Sequence, residues 1–328
     1  MLRRTSAIIL MLTVSVCTFS QSKIKKLYEK VDAKLREKYE RVTYDTLYIS
    51  RPDKKFMLKI KGNLSGNSFR FKSLREGDDT HAYLTTSTRG TLNLGASYMG
   101  LSASFSINPG KMSGRNQDYE FNISATSNRY IIDFSFQRSK TLSGHFDSGG
   151  ETHYLDKEFL KLEMLNLTGF YIFNHRRFSF PAVFSQSYIQ RHSAGSWLAG
   201  LAFTGSRIST NDGVPEGFPD MDINGKSIAI GGGYGYNLVC RKWLFHLSAM
   251  PTIVVYNHKK STVSGEVTRD NSYFRNGIIN SRGAIIYNFG SRYFIGVNAV
   301  ANSTVFGSSN YHFSRTKWNA SAFFGLRL

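Results

Sequence analysis

The feature that most constrains this chain is an alternation of apolar and polar residues, repeated in stretches of about ten residues from residue 56 onward. In the first stretch Phe56, Leu58 and Ile60 share one side, whereas Lys59 and Lys61 share the other. A period of two is typical of strands with one apolar and one polar face. Recurrent alternation without any long apolar run indicates a transmembrane β-barrel and therefore an all-β fold.

The order of short and long connections refines the strand count. The alternating stretches come to an odd number, and short and long connections fall out of phase around 177–224. Pro181 lies in one candidate strand, and proline is disfavoured in central strands. If residues 174–187 are instead a periplasmic or lumen-tucked connection, all short turns and both termini share one end. We therefore predict a transmembrane antiparallel β-barrel of about 12 strands, within a range of about 10–14.

The opposite end is predicted to carry long loops, because polar segments separate the other pairs of strands. These predicted loops are 67–88, 109–116, 141–158, 208–224, 257–273 and 304–313. The last strand ends on the apolar residue Leu328, as barrel-closing strands commonly do, although the usual terminal aromatic is absent.

The first residues predict export. Arg3 and Arg4 precede an apolar core of about ten residues, and small residues stand at the expected cleavage site after Ser20. We predict a signal peptide over 1–20, with a lipoprotein modified at Cys17 as the alternative. Cleavage changes the formal net charge from +19 to +17, because it removes two arginines and no acid.

Residues 21–52 are predicted to form a periplasmic helical lead and linker. Within 22–42, apolar residues recur every three or four positions, which is typical of an amphipathic helix of about five turns. Such a helix can pack on the rest of the fold or bind a membrane surface or a partner. The barrel domain is then predicted to occupy 53–328.

An exported soluble β-sandwich is the main alternative fold, since the mean hydropathy is only −0.29. Against it, the chain shows no linker after residue 52, and the inward face is polar or glycine rather than aliphatic. Aromatic residues near strand ends also match the interfacial girdles of barrels. These aromatic residues are Tyr98, Tyr130, Trp197, Trp243, Tyr287 and Tyr293.

Several short motifs occur in a characteristic order. They are Tyr44-Asp45-Thr46, Leu94-Gly95-Ala96, Phe178-Ser179-Phe180, Ser193-Ala194-Gly195-Ser196 and Gly233-Tyr234-Gly235-Tyr236-Asn237. Over residues 43–328 the chain resembles a family of Bacteroides-type bacteria known as domain of unknown function 4421. The resemblance implies an exported, barrel-like protein and carries no activity with it.

A barrel esterase would need His and Ser on one face of a strand, close enough to bond. His192 and Ser193 fall on opposite faces, and Ser196 lies roughly 13 Å from His192 along a strand. The sequence therefore predicts no catalytic residue and no enzyme activity.

One segment matches the opening of a calcium loop. Asp220, Asp222 and Asn224 follow its spacing, but Gly231 stands where the bidentate glutamate belongs. A solvated acidic loop that includes Asp212 and Glu216 is the simpler interpretation, so whether 212–225 binds calcium stays open. We expect no cofactor and no metal site.

The positive charge suits lipid head groups or an anion-selective lumen rather than nucleic acid. Arg176-Arg177 and Arg241-Lys242 fall at expected periplasmic turns, and other basic residues face inward. These are Lys59, Lys61, Arg282, Lys317 and Arg327. The expected function is a channel or binding protein for an anionic or amphipathic small molecule, in contact with outer-membrane lipid and lipopolysaccharide. A surface protein acting through its loops is the alternative. The oligomeric state is left open.

Overall fold

The computed structural model describes residues 29–30, 32–34, 36–37, 39–74, 76, 79–99, 101–112, 118–210, 220–263, 265–272, 276–307 and 311–328. The predicted signal peptide, 1–20, lies outside these residues. Residues 29–40 are helical wherever they are described, and Arg36 pairs with Asp32 one turn earlier at 3.1 Å. No helix within the described part of the chain has the length and apolar content needed to cross a membrane.

The rest of the described chain is mostly strand. Two short helices are present, α1 (Pro109–Met112) and α2 (Pro181–Phe184). The strands are β1 (Ile49–Ser50), β2 (Phe56–Ser73), β3 (His81–Thr85), β4 (Arg89–Tyr98), β5 (Leu101–Ile107), β6 (Tyr119–Thr126), β7 (Tyr130–Ser148), β8 (Glu151–Ile172), β9 (Ile189–Gln190), β10 (Ala194–Thr210), β11 (Met221–Cys240), β12 (Trp243–Val263), β13 (Glu266–Ser272), β14 (Gly277–Phe289), β15 (Tyr293–Gly307) and β16 (Tyr311–Arg327).

Within the described residues, ten strands close into an antiparallel ring, which confirms the predicted barrel. The order around the ring is β2, β16, β15, β14, β12, β11, β10, β8, β7 and β3, and β3 pairs back with β2. The strand number lies at the lower edge of the predicted range. Strands β4 and β5 extend the wall from the first half of β2, and β6 pairs with the first half of β7.

The two ends of the barrel differ. At one end, the turn end, tight turns at 127–129, 241–242 and 290–292 join successive strands. The chain also closes on itself there, because Phe56 and Leu328 exchange backbone hydrogen bonds of 2.8 and 3.4 Å. At the other end, the hairpin end, the strands run past the apolar band and meet in hairpins.

Four of the predicted loops are therefore wrong in extent, because 67–88, 141–158, 257–273 and 304–313 are largely strand. Strands β7 and β8, for example, meet at the two-residue turn Gly149-Gly150, where φ is 61° and 82°. Glycine suits such a turn because both residues need positive φ. Beyond the lipid both faces of a hairpin meet water, so no apolar residue is required at every second position. The apolar alternation therefore stops although the backbone pairing continues.

The outer face of the barrel is apolar and the inner face is polar or small. On β11, Ile228 and Ile230 face outward and are exposed, whereas Ser227 and Ala229 face inward and are buried. Aromatic side chains gather near the turn end, where Trp197 is 68% exposed and Tyr130, Trp243 and Tyr293 are also exposed. They form the interfacial band that the sequence predicted.

The connection between β8 and β10 lies inside the barrel, and we call residues 173–193 the plug. Phe178, Phe180 and Val183 are almost completely buried in it, against inward residues of the wall. Pro181 occupies the first turn of α2, where its missing N–H costs no hydrogen bond. Burial of the Phe178, Phe180 and Val183 side chains stabilises the fold by about 1.5–3 kcal/mol each. The prediction that 174–187 is a connection rather than a strand is confirmed.

Candidate functional site

The strand register places inward side chains in rows around the lumen. One row runs through six neighbouring strands as direct cross-strand partners, and we call it the polar row. Its members are Thr91, Asn63, Ser321, Asn298, Ala284 and His246. Because these residues come from six strands, their convergence depends on closure of the barrel.

The polar row lies on the inner face of the wall. Asn63, Asn298 and Ser321 carry amide and hydroxyl groups there, and Ser321 donates to Asn63 at 2.9 Å. The groove of about 870 Å³ along the same six strands is different, because it is lined mainly by exposed outward residues such as Leu64, Ile285 and Val297. It is an apolar groove in the lipid-facing surface rather than a ligand site in the lumen.

Toward the hairpin end, a charged network narrows the lumen around Glu120. Its carboxylate pairs with Arg89, and Lys317 approaches it at 3.2 Å. All three side chains are almost completely buried, and Arg89 also donates to Ser65 at 2.9 Å. These contacts join β6 to β4 and β16, so side chains from separate parts of the wall meet within the lumen.

A second ion pair crosses the lumen directly. Arg282 of β14 donates to the carboxylate of Asp133 on β7, with 2.6 Å between Nη2 and Oδ2. The two strands are five positions apart in either direction around the ring of ten. The Arg282 guanidinium also stacks 4.9 Å from the ring of Phe170. This pair ties opposite walls together above the plug.

The plug is held by a buried hydrogen-bond network. The Gln190 side chain accepts from the Ser179 backbone and from Asn237 at 3.0 Å each, and it donates to the carbonyl of Arg177 at 2.6 Å. From the wall, Lys59 donates to Gln186 at 2.9 Å. These bonds fix the plug to β2 and β11.

His246 is the member of the polar row that contacts the plug. One ring nitrogen bonds Asn237 at 2.7 Å and the other bonds Ser248 at 3.0 Å. The rings of Phe178, Phe180 and Phe184 surround it with centroid distances of 5.0–6.0 Å. With both nitrogens bonded, the imidazole acts as a fixed part of the wall around the plug.

The inward basic residues predicted from sequence do lie inside the barrel. Lys59, Arg282, Lys317 and Arg327 make the contacts of buried lumen groups, and Lys61 shares the inward parity of Lys59. Sequence reasoning missed Arg89, Arg315, Asp118 and Glu120, which are also buried. The parity of each strand could have placed Arg89, Arg315 and Glu120 on the inner face. Asp118 precedes β6 and carries no such signal.

The residues tested for esterase chemistry are not brought together. Ser193 accepts a hydrogen bond from the Val239 backbone at 2.9 Å, and Ser196 accepts one from Asn174 at 2.9 Å. The His192 ring packs 5.8 Å from the Tyr48 ring. These three side chains hold the plug and its neighbours in place.

The calcium-like segment is a strand rather than a loop where it is described. Asp222 lies on β11 and receives two hydrogen bonds from Arg207, at 2.9 and 2.7 Å. These bonds lower the pKa of the Asp222 carboxyl. Asp212 and Glu216 lie outside the described residues. Within the described part, no group of three or more His, Cys, Asp or Glu residues could hold a metal ion.

A closed antiparallel ring with an apolar outer face, an aromatic band and a charged interior defines the class of outer-membrane β-barrel proteins. The family model described as "Domain of unknown function (DUF4421)" matches residues 43–327. The chain therefore belongs to that family, as the sequence motifs indicated. No curated protein matches it.

Solved outer-membrane barrels resemble the chain in fold. The outer-membrane protease OmpT from Escherichia coli is 10% identical with a TM-score of 0.40, over 87% of this chain and 99% of that one. The attachment invasion locus protein Ail of Yersinia pestis is 9% identical with a TM-score of 0.22, over 81% and 97%. The Pseudomonas putida toluene transporter TodX is 6% identical with a TM-score of 0.27, over 84% and 91%.

This comparison corrects the expectation that the chain is not an enzyme. That expectation rested on the placement of His192, Ser193 and Ser196 along one strand, but a protease is among the solved barrels that the chain resembles. Catalytic residues on a barrel can come from separate strands, so spacing within one strand does not exclude an activity. At 10% identity the likeness concerns the fold and transfers no activity.

Proposed function

We propose that this outer-membrane barrel binds a small anionic or amphipathic molecule in its lumen and passes it across the membrane. The observation that carries the proposal is the surplus of buried basic side chains on the inner face of the barrel. Between the plug and the ion pairs of Glu120 and Asp133, the inner face carries the amide and hydroxyl groups of the polar row.

The charge of the lumen supports an anionic ligand. Among the described inward residues, Asp118, Glu120 and Asp133 carry negative charge. Basic residues outnumber them, and the surplus creates a positive potential that favours anions in a narrow pore. The basic residues are Lys59, Lys61, Arg89, Arg282, Arg315, Lys317 and Arg327.

The closed interior supports a carrier or gated channel rather than an open pore. Passage from the polar row to the turn end requires the plug to move, and the Gln190 network must break for that. Passage to the hairpin end requires the Arg282–Asp133 pair to separate. Ligand that replaces some of these contacts offsets the cost of breaking them.

The orientation follows from barrel architecture. Short turns of outer-membrane barrels face the periplasm, so the turn end and the C-terminus are proposed to lie there. Export through a cleaved signal peptide over 1–20 accompanies this orientation. In this orientation the outward apolar face contacts outer-membrane lipid and lipopolysaccharide. We propose no nucleic-acid partner.

The test is solute entry into vesicles that contain the full chain. Aromatic carboxylates and sugar phosphates are compared with neutral and cationic analogues of the same size. We expect faster entry of the anions and loss of entry in Asn298→Trp, because Asn298 faces inward and a tryptophan there narrows the lumen. Val297→Trp is the matched control, because Val297 is the neighbouring residue and faces the lipid.

Both variants are first checked for a heat-dependent shift on gels, which reports a folded barrel. Equal entry of anions and cations would contradict the proposal. The same is true if Asn298→Trp transports as well as Val297→Trp.

The second candidate is a surface protein that acts through the hairpin end. The specific observation in its favour is the length of the hairpins, since β7 and β8 continue to Ser148 and Glu151 beyond the apolar band. If no solute enters in any vesicle test while the barrel is folded, this candidate takes precedence.

A further inference from the structure

The turn end carries a surplus of positive charge that the lumen does not explain. Basic residues occupy the turns and connections there, and all of them are exposed. We call this set the basic collar. It consists of Lys54, Lys55, Arg129, Arg176, Arg177, Arg191, Arg241, Lys242 and Arg292. Among the residues described from Tyr44 onward, the acidic ones at this end are Asp45 and Asp53, and Asp45 is paired with Arg177 at 3.2 Å.

The hairpin end is different, because its basic residues have acidic neighbours. Arg207 pairs with Asp222 at 2.7 Å, and Lys161 pairs with Glu163 at 2.9 Å. Arg138 adds a further contact to Glu163 at 3.3 Å. The net positive charge of the outer surface is thus concentrated in the basic collar.

The basic collar lies at a defined depth relative to the aromatic band. Three of its residues directly precede an aromatic residue of that band, in the pairs Arg129-Tyr130, Lys242-Trp243 and Arg292-Tyr293. One strand residue corresponds to roughly 3.3 Å. Because the aromatic rings of a barrel sit at the head-group level, the basic groups reach the phosphates of the same leaflet.

We propose that the basic collar binds the phosphate groups of anionic phospholipids in the leaflet at the turn end. Arginine and lysine are the side chains that proteins use for phosphate, and a ring of them gives each lipid more than one cation. The depth decides between lipid and a soluble anionic polymer. A polymer partner would meet basic groups that project beyond the head groups, whereas these flank the aromatic band.

The test uses tryptophan quenching by brominated lipid. The chain has three tryptophans, and Trp197 and Trp243 lie in the aromatic band beside the basic collar. A Trp318→Phe background removes the third, which lies on β16. The protein is placed in vesicles of equal phosphatidylglycerol and phosphatidylcholine, with bromine on one lipid or on the other. Both samples then have the same composition, and only the labelled lipid differs.

We expect several-fold stronger quenching when the bromine is on phosphatidylglycerol. The preference should disappear in Arg129→Gln/Arg241→Gln/Lys242→Gln/Arg292→Gln, which leaves the paired Arg177 intact. The control carries the same number of neutral substitutions at exposed sites of the hairpin end. These are Lys157→Gln, Lys226→Gln, Lys260→Gln and Arg269→Gln.

The quenching preference is also measured with added salt, on the protein whose basic collar is intact. Raising the ionic strength from about 0.1 M to about 1 M shortens the screening length from about 10 Å to about 3 Å, which should weaken the preference. Equal quenching by both lipids at low salt overturns the proposal. A preference that survives the collar variant, or that the hairpin-end control abolishes, overturns it as well.

Discussion

The ion pair between Asp133 and Arg282 should couple opposite walls of the barrel. Nη2 of Arg282 lies 2.6 Å from Oδ2 of Asp133, and the two side chains are 14% and 25% exposed. The perturbation is a double-mutant cycle with Asp133→Ala, Arg282→Met and both together. Methionine keeps an apolar chain beside Phe170, which the guanidinium now covers at 4.9 Å.

The expected magnitudes follow from burial. Removing one partner of a fully buried pair costs about 3–5 kcal/mol, because the other charge loses its compensation. Both groups here keep some solvent contact, so about 2–4 kcal/mol is expected for Asp133→Ala. Arg282→Met should cost less, since Asp133 still accepts from Ser124. The double variant removes both charges, which gives a coupling of about 1–3 kcal/mol.

Two measurements check this prediction. Urea unfolding in lipid vesicles, followed by tryptophan fluorescence, gives the four free energies of unfolding. Planar-bilayer recording should show a higher conductance in each single variant, because the lumen loses a crossing contact. If the two single costs add within about 0.5 kcal/mol and conductance stays at the wild-type level, the pair does not brace the lumen.

Three further predictions concern the plug, the wall and the hairpin end. Phe178→Ala should destabilise the plug by about 3–5 kcal/mol and raise conductance in bilayers, since Phe178 is fully buried. Phe173→Ala is the control, because Phe173 is exposed. Gly233→Val should prevent folding, because a Cβ there would lie 2.6 Å from Cα of Met250. The variant should therefore lose the heat-dependent shift on gels that reports a folded barrel. Gly62→Val is the control and should fold normally, since a Cβ there meets nothing within 4 Å. Arg207 holds the pKa of Asp222 below its usual range, so the stabilisation from this pair is present at neutral pH and is lost as the pH falls through that lowered pKa. NMR titration of the Arg207→Gln variant should show the pKa of Asp222 rising toward about 3.9. An unchanged pKa would refute the bond.

Much of the fold follows from alternation in the sequence. The lipid imposes an apolar residue at every second position, so β11 could be located from Ile228, Ile230 and their neighbours. The same logic removed 174–187 from the wall, because Pro181 and the order of the turns both excluded a strand there. The hairpins escaped prediction, since outside the lipid no solvent imposes a pattern on either face.

The site was less predictable than the fold. Parity assigns Arg282 to the inner face, but it does not show which residue the guanidinium meets. Its partner, Asp133, is 149 positions away and is reached only because the ring closes. The polar row has the same origin, since Asn63 and Ser321 become neighbours through the pairing of β2 with β16. Period-two patterns specify the face of a residue, and barrel closure specifies its contacts.

The lumen is closed by the plug toward the turn end and by ion pairs toward the hairpin end. The difference between these two closures indicates how a ligand would have to act. The plug is held mainly by buried aromatic side chains and by neutral hydrogen bonds around Gln190, which an anion does not weaken. The closure toward the hairpin end consists of ion pairs, in which Arg282 and Lys317 are held by carboxylates. An entering anion can compete with Asp133 or Glu120 for these cations, so it lowers the barrier on that side. Entry from the hairpin end should therefore respond to ligand charge, whereas release at the turn end should depend on how tightly the plug is packed.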